Sequence, residues 1–279
     1  MRYRELSPCS RLLPFVECFW FVSGDGRGAP IQTIVPDGCP ELIVHSGEPF
    51  RRICGERPDR QPTAFVVGEL TRALRVRPEA SMSTMGIRFR PAGLSPFVAT
   101  PQDELTDRTT PIADLWGASA RELEERVHDA ASDARRARVA EEFLLARLAA
   151  GPGPDRRVAA AVGQLLAERG QTRLGALSAT AGLSPRQLER RFRSVVGLGP
   201  KALGRLVRFQ EVYRRLGEDV PSDWASIALD CGYYDQAHLL RDFRELAGSP
   251  PSRLLGSEGA LAREFVDPAR LLRFFAHTG

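Results

Sequence analysis

Nothing in the 279-residue chain approaches the ~20 consecutive apolar residues of a membrane-spanning helix, so a membrane is not among its expected partners. An export signal is missing too: in MRYRELSPCSRLLPF, Glu5 and Pro8 interrupt the stretch that would have to be apolar, and the chain is expected in the cytoplasm. Cysteine is scarce and odd in number. Cys9, Cys18, Cys39, Cys54 and Cys231 are scattered and never form CxxC, which speaks against a zinc knuckle and a disulfide framework and leaves buried or free thiols. Histidine is as scarce: the N-terminal half offers His45 and, outside its strands, His128, and a lone imidazole does not make a metal site. No metal, no cofactor and no catalytic residue is expected, and His45 reads as a surface or structural residue. Lysine is reduced to Lys201, so arginine carries the basic charge, and a formal net charge of +4 is by itself too mild to imply nucleic acid.

What is present is the composition of a folded protein, 43% apolar and 27% charged, in a chain long enough for two domains. The first hundred residues alternate short β-type runs (FVECFWFVS, IQTIVPDGCPELIVHSG, TAFVVGE, ALRVRP, STMGIRFRP) with turn formers such as Pro36-Asp37-Gly38. A sandwich or small barrel is the natural closure. From about Ser95 the pattern turns helical, and Leu123, Val127, Val139, Phe143, Leu144 and Leu148 mark amphipathic helices between Ser119 and Ala149. Two Gly-Pro pairs then interrupt the chain. The expected organisation is a β-rich domain over 1–150, a linker over 151–155, a helical domain over 156–256 and an extension over 257–279. In the extension, ALAREFVDPARLLRFFAH is amphipathic and is expected to pack on a domain or on a second copy.

Beyond the linker one pattern occurs twice. The first copy, LSATAGLSPRQLERRFRSVVGLGP, runs from Leu177 to Pro200, and the second, IALDCGYYDQAHLLRDFRELAGSPP, from Ile227 to Pro251. Gly182 matches Gly232; after one extra residue in the second turn, Leu188 matches Leu239, Phe192 matches Phe243, Gly197 matches Gly248 and Pro200 matches Pro251. Such self-similarity defines a structural unit, and each copy parses as helix, glycine turn, helix. Ser184 and Asp235 are suited to cap the second helices, which Gly197 and Gly248 end. At about 100° per residue, Leu188, Phe192 and Val195 share one face of the first such helix, while Arg186, Gln187, Arg190 and Arg193 share the other. In the second copy Leu239, Phe243 and Leu246 turn inward. His238, Arg241 and Arg244 turn outward, with Gln236 at the helix start and with Asp242 and Glu245 flanking the face and weakening it. Outward arginines suit phosphates and guanine edges, and glutamine suits adenine, so double-stranded DNA is the expected partner. Arg186, Arg190, Arg191, Arg193, Lys201, Arg205, Arg208, Arg214 and Arg215, against only Glu189 and Glu211, mark where a polyanion would dock. Between the copies, Pro200 to about Leu216 makes one helix of ~25 Å at 1.5 Å per residue. With the flanking units added, it can present both readers to major-groove openings ~34 Å apart, somewhat bent DNA making up any shortfall.

At Ile227-Ala228, Gly232-Tyr233, Asp235-Gln236, Phe243-Arg244, Gly248 and Pro251 the chain resembles the DNA-binding domain of the AraC/XylS family of bacterial regulators. The likeness covers about Arg156 to Leu255, with Tyr233 and Leu239 replacing the usual Phe and Pro250 preceding Pro251. It implies two recognition helices in successive major grooves and a transcriptional activator or repressor, with RNA polymerase and a second copy of the chain as further candidate partners. PFVECFWFVSG, IVPDGCPELIVH, GELTRALRV and MGIRFRPAGLSPF also resemble a cupin-like domain found ahead of this DNA-binding domain. The fold class expected is therefore α+β, with a cupin-like N-terminal barrel bearing helices and an all-α C-terminal domain with two helix-turn-helix units.

Trp20, Asp37, Glu41, Arg88 and Arg90 are the N-terminal candidates for holding a small-molecule effector. Arg88 and Arg90 face one way by strand alternation, although core aromatics, a solvated face and a simple turn at Asp37 account for the same residues. Two alternatives stand beside a ligand-responsive regulator: an N-terminal domain that only dimerises, and an Ada-type repair regulator, which needs a four-cysteine zinc site that the sequence does not contain. Arg190→Ala is expected to cost about 1–3 kcal/mol in DNA binding and to relax preference at one base pair, whereas a uniform loss over all sequences would mark a phosphate contact. Binding titrations on randomised duplexes separate the two, with a smaller loss expected for Arg241→Ala.

Overall fold

From Cys18 to Val22 every side chain is large or apolar, so a sheet built on this strand must be covered on both faces. The computed structural model describes residues 2–54, 57–216 and 223–250 and meets this requirement with three layers. The strands are β1 (Arg2–Leu6), β2 (Val16–Asp25), β3 (Gln32–Ile34), β4 (Glu41–His45), β5 (Arg51–Cys54), β6 (Arg57–Arg60), β7 (Ala64–Val67), β8 (Leu74–Arg77), β9 (Ser81–Phe89) and β10 (Thr109–Pro111). They form a six-stranded antiparallel sheet, β1-β2-β9-β4-β7-β10, and a four-stranded one, β3-β8-β5-β6.

One face of the large sheet presents Phe19, Phe21, Leu42, Val44, Val66, Met85, Ile87 and Phe89 to the helices α1 (Ile112–Trp116), α2 (Ala118–Asp129) and α3 (Asp133–Ala150). The other presents Cys18, Trp20, Val22, Ile43 and Met82 to Phe50, Ile34, Leu74 and Val76 around the small sheet. Period-two alternation sorts the residues of β2, β4 and β9 between these two cores. The expected closed barrel is corrected: among the described residues the strands pair into two open sheets, because the large sheet's second apolar face is covered by helices rather than closed on itself.

A bulge in β2 shifts the register between Val16, opposite Phe89, and Cys18, opposite Arg88. The additional residue, Glu17, thereby reaches the Arg88 side of the sheet. Three residues after Glu17, Trp20 pairs with Gly86 and lays its indole over it, so that a Cβ at Gly86 would overlap the ring.

The remaining helices are α4 (Arg156–Ala167), α5 (Leu174–Ala181), α6 (Pro185–Val196), α7 (Pro200–Leu216), α8 (Trp224–Asp230) and α9 (Gln236–Ala247). α4, α5 and α6 close one core with Leu203 and Val207 of α7, and α8 and α9 close another with Leu206, Phe209, Val212 and Tyr213 of the same helix. The β-rich part joins both: Val35 is buried in the second core, while Cys39 and Ala92 pack on the first. Pro251 and the extension over 257–279 lie outside the described residues.

Gly86→Ala is expected to destabilise the fold by about 1–3 kcal/mol, the usual cost of forcing volume into a packed core. Urea unfolding checks this: the midpoint should fall with an unchanged slope.

Candidate nucleic-acid interface and effector cavity

The first reader is built from its turn outward. Gly182 (φ 60°) ends α5 in the left-handed region, and Ser184 then caps α6. The Ser184 hydroxyl accepts from the Gln187 amide, while Gln187 Oε1 accepts from Ser184 N–H at 3.0 Å and from its hydroxyl at 2.9 Å. Leu188, Phe192 and Val196 are buried, with Val195 only half-buried beside them. Arg186, Gln187, Arg190 and Arg193 are exposed on the far side. The cap engages the oxygen of Gln187, so only its NH2 group is left for a base, less than the two-point contact with adenine requires.

In the second reader Asp235 caps α9 by accepting from His238 N–H at 2.7 Å, and Gly248 (φ 72°) ends it. Gln236, Arg241 and Arg244 are exposed, and the half-buried His238 packs edge-on against Tyr233 at 5.2 Å. The expected acidic flank is corrected. Asp242 is buried and pairs with Arg205 Nε at 2.9 Å, and Glu245 also binds Arg205, so both acids are neutralised from α7. What distinguishes the readers is then one arginine fewer on α9.

The basic segment is likewise more internal than its composition suggested. Arg191 pairs with Asp155 at 2.8 Å, Arg193 with Glu189 at 3.4 Å, and Arg214 and Arg215 with the buried Glu211 at 3.0 and 3.2 Å. Arg208 donates to Gly170 O at 2.8 Å and lies over the Tyr233 ring. Arg191, Arg208 and, through Asp230, Arg215 tie neighbouring elements together, while Arg193 and Arg214 pair with acids of their own helices, and the exposed cationic face narrows to the outward positions of α6 and α9.

Between the two sheets lies a cavity of about 60 Å³ whose apolar walls include Trp20, Ile34, Ile43, Phe50, Leu74 and Val76. At one end His45 bonds Thr84 at 2.9 Å and Gln61 at 3.3 Å, and burial pushes its imidazole down to about 4, so it is neutral at pH 7. It is a buried structural residue. At the other end stand Asp37, Cys39, Glu41 and Arg88. Arg88, its side chain 6% exposed, contacts Glu17, Asp37 and Glu41, and Trp20 Nε1 donates to Glu41 at 3.2 Å. Burial, with Glu17, Glu69 and Glu41 nearby, holds the Cys39 thiol well above its ordinary range.

Trp20, Asp37, Glu41 and Arg88 thus come together around one space. Arg90 does not join them: it follows the end of β9, and its Nε donates to Leu13 O at 2.9 Å. Glu69 was not singled out in the sequence, where it is one glutamate after a strand. It is 2% exposed, neither carboxylate oxygen has a hydrogen-bond partner, and burial pushes it up to about 8.

The cavity wall is also a domain contact. Val35 enters the core of the second reader, Pro36 O accepts from Gln210 Nε2 of α7, and a Cβ on Gly38 would stand 3.2 Å from Leu203 Cδ1. A separate contact ties Thr106 Oγ1 to Gly197 O, at the end of α6, at 2.9 Å. Among the described residues no helix is long and apolar enough to cross a membrane.

Residues 177–257 match the family model described as a helix-turn-helix domain, and residues 4–111 match a family described as a domain of unknown function, DUF6597. No curated protein matches the chain. Among solved structures the chain is similar to ToxT from Vibrio cholerae, whose 1.65 Å structure aligns with a TM-score of 0.47 and 10% identity over 85% of this chain and 98% of that one. ToxT of V. cholerae strain SCE256 with bound unsaturated fatty acid gives 0.45 and 10% over 86% and 97%. ToxT of V. cholerae O395 bound to (E)-4-(8-methylnaphthalen-1-yl)but-3-enoic acid gives 0.47 and 10% over 85% and 98%.

Glu69 carries a pH signature. Its folded-state affinity for a proton exceeds that of the unfolded chain, so its contribution is complete below about pH 4.5 and is lost as pH rises towards about 8. Glu69→Gln should therefore unfold like the parent at pH 4.5 and be more stable by about 3 kcal/mol at pH 7. Urea titrations of both proteins at the two pH values check this.

Proposed function

Since residues 177–257 form an AraC-type helix-turn-helix domain behind a domain of a different family, we propose that the chain is a transcriptional regulator that inserts α6 and α9 into successive major-groove openings and responds to an effector in the sheet cavity. DNA binding is supported by two capped helices with exposed cationic faces on one 17-residue helix. One observation carries the response: Val35, Asp37 and Cys39 line the cavity, and the same segment reaches α7 through Pro36 and packs into both readers' cores. A ligand that moves this segment changes the contacts that hold both readers, which is the differential interaction that a population shift requires. At a promoter the bound protein would meet RNA polymerase.

Selection of genomic fragments by the purified full chain should return a motif of two half-elements about one helical turn apart. Gln210→Ala removes the bond to Pro36 and should change operator affinity at least threefold without ligand. A selection with no enriched motif from either protein would overturn the DNA-reading assignment. An enriched motif bound equally by both would separate the cavity segment from regulation.

A further inference from the structure

Resting on the reading of this cavity as an effector site, we propose that it takes a small organic cation, an ammonium or amidinium ion with a flat apolar body, and discriminates against the corresponding acid. The apolar walls around Trp20 and Phe50 suit the body, and the polar end decides the charge. Arg88 is the one arginine among the described residues that line the cavity, and its guanidinium is engaged on every nitrogen: Nη1 lies 3.0 Å from Glu41, Nε 3.6 Å from Glu17, and Nη2 binds Asp37. An incoming carboxylate meets no unengaged guanidinium edge and three carboxylates around it.

An incoming cation meets the opposite situation. One lining guanidinium faces three carboxylates; Arg90 acts on Cys39 from outside the lining and offsets part of this, and the buried surplus of negative charge that is left is costly until a proton or a cation relieves it. His45 supplies no compensating charge from the far end, since it is neutral. The Trp20 indole offers an aromatic surface to a cation beside Glu41. A free volume of about 60 Å³ admits a head group only, so the ligand body must enter at the expense of the Val35–Cys39 wall.

Benzamidinium, benzamide and benzoate share a shape and differ in charge. Calorimetric titration of the full chain with each, paired with thermal melts, should show benzamidinium binding at least tenfold more tightly than benzamide, with benzoate the weakest. Glu41→Gln should erase most of that preference, and Asp37→Asn, at a more exposed carboxylate, provides the same readout if the first variant does not fold. Equal binding of the three, tighter binding of benzoate, or binding of none overturns the cation assignment. Operator affinity measured with each probe keeps the two readings apart. A charge-independent ligand that shifts DNA binding leaves the regulator and removes the cation, whereas benzamidinium that binds without shifting DNA affinity does the reverse.

Discussion

Helix α7 has apolar side chains around most of its circumference, and a helix of that kind must be surrounded. Leu203 and Val207 are covered by the first reader, Leu206, Phe209 and Val212 by the second, and the segment around Val35 takes part of what is left. Its polar residues are drawn into the same task. Glu211 gathers Arg169, Arg214 and Arg215, Arg205 holds the two acids of α9, and Gln210 reaches the β-rich part. The two readers therefore share one support with the cavity wall, and the spacing between them is set by packing on α7 rather than by a flexible connection.

The repeat was legible because a helix-turn-helix imposes itself on sequence: a glycine where φ is positive, a capping side chain, an apolar stripe at helical spacing. All three recur in α6 and α9, and the span of α7 follows from Pro200 and the residues after it. Strands whose two faces are apolar were legible for the same reason. Four others were not. β1 (RYREL), β6 (RPDR) and β10 (TTP) are sheet edges, where polar side chains erase the alternation a sequence reading depends on, and β5 (RRIC), inside the small sheet, is four residues long and opens on two arginines.

The site was legible in kind and less so in detail. Trp20, Glu41 and Arg88 could be proposed from their strands, but Arg90 lies one residue past the end of β9, where alternation no longer governs direction. Counting arginines could not separate those that face solvent from those that fasten helices. Glu69 gave no signal because its peculiarity is the absence of a partner, a property of the surroundings and not of the residue. Gln187 shows the converse: its position suggested a base contact, and the capping box already engages half of its amide.

The bulge in β2 has an evolutionary side. One residue separates a strand that presents Glu17 to Arg88 from one whose register runs uninterrupted into Cys18. Because Glu17 is the extra residue of the bulge, losing it leaves Val16 opposite Phe89 and Cys18 opposite Arg88, with the facing on both sides kept. A lineage that dropped or regained this residue would alter the charge around Arg88 in one step and leave the sandwich, the helices and both readers as they were. The charge around Arg88 can drift much faster than the fold that surrounds it.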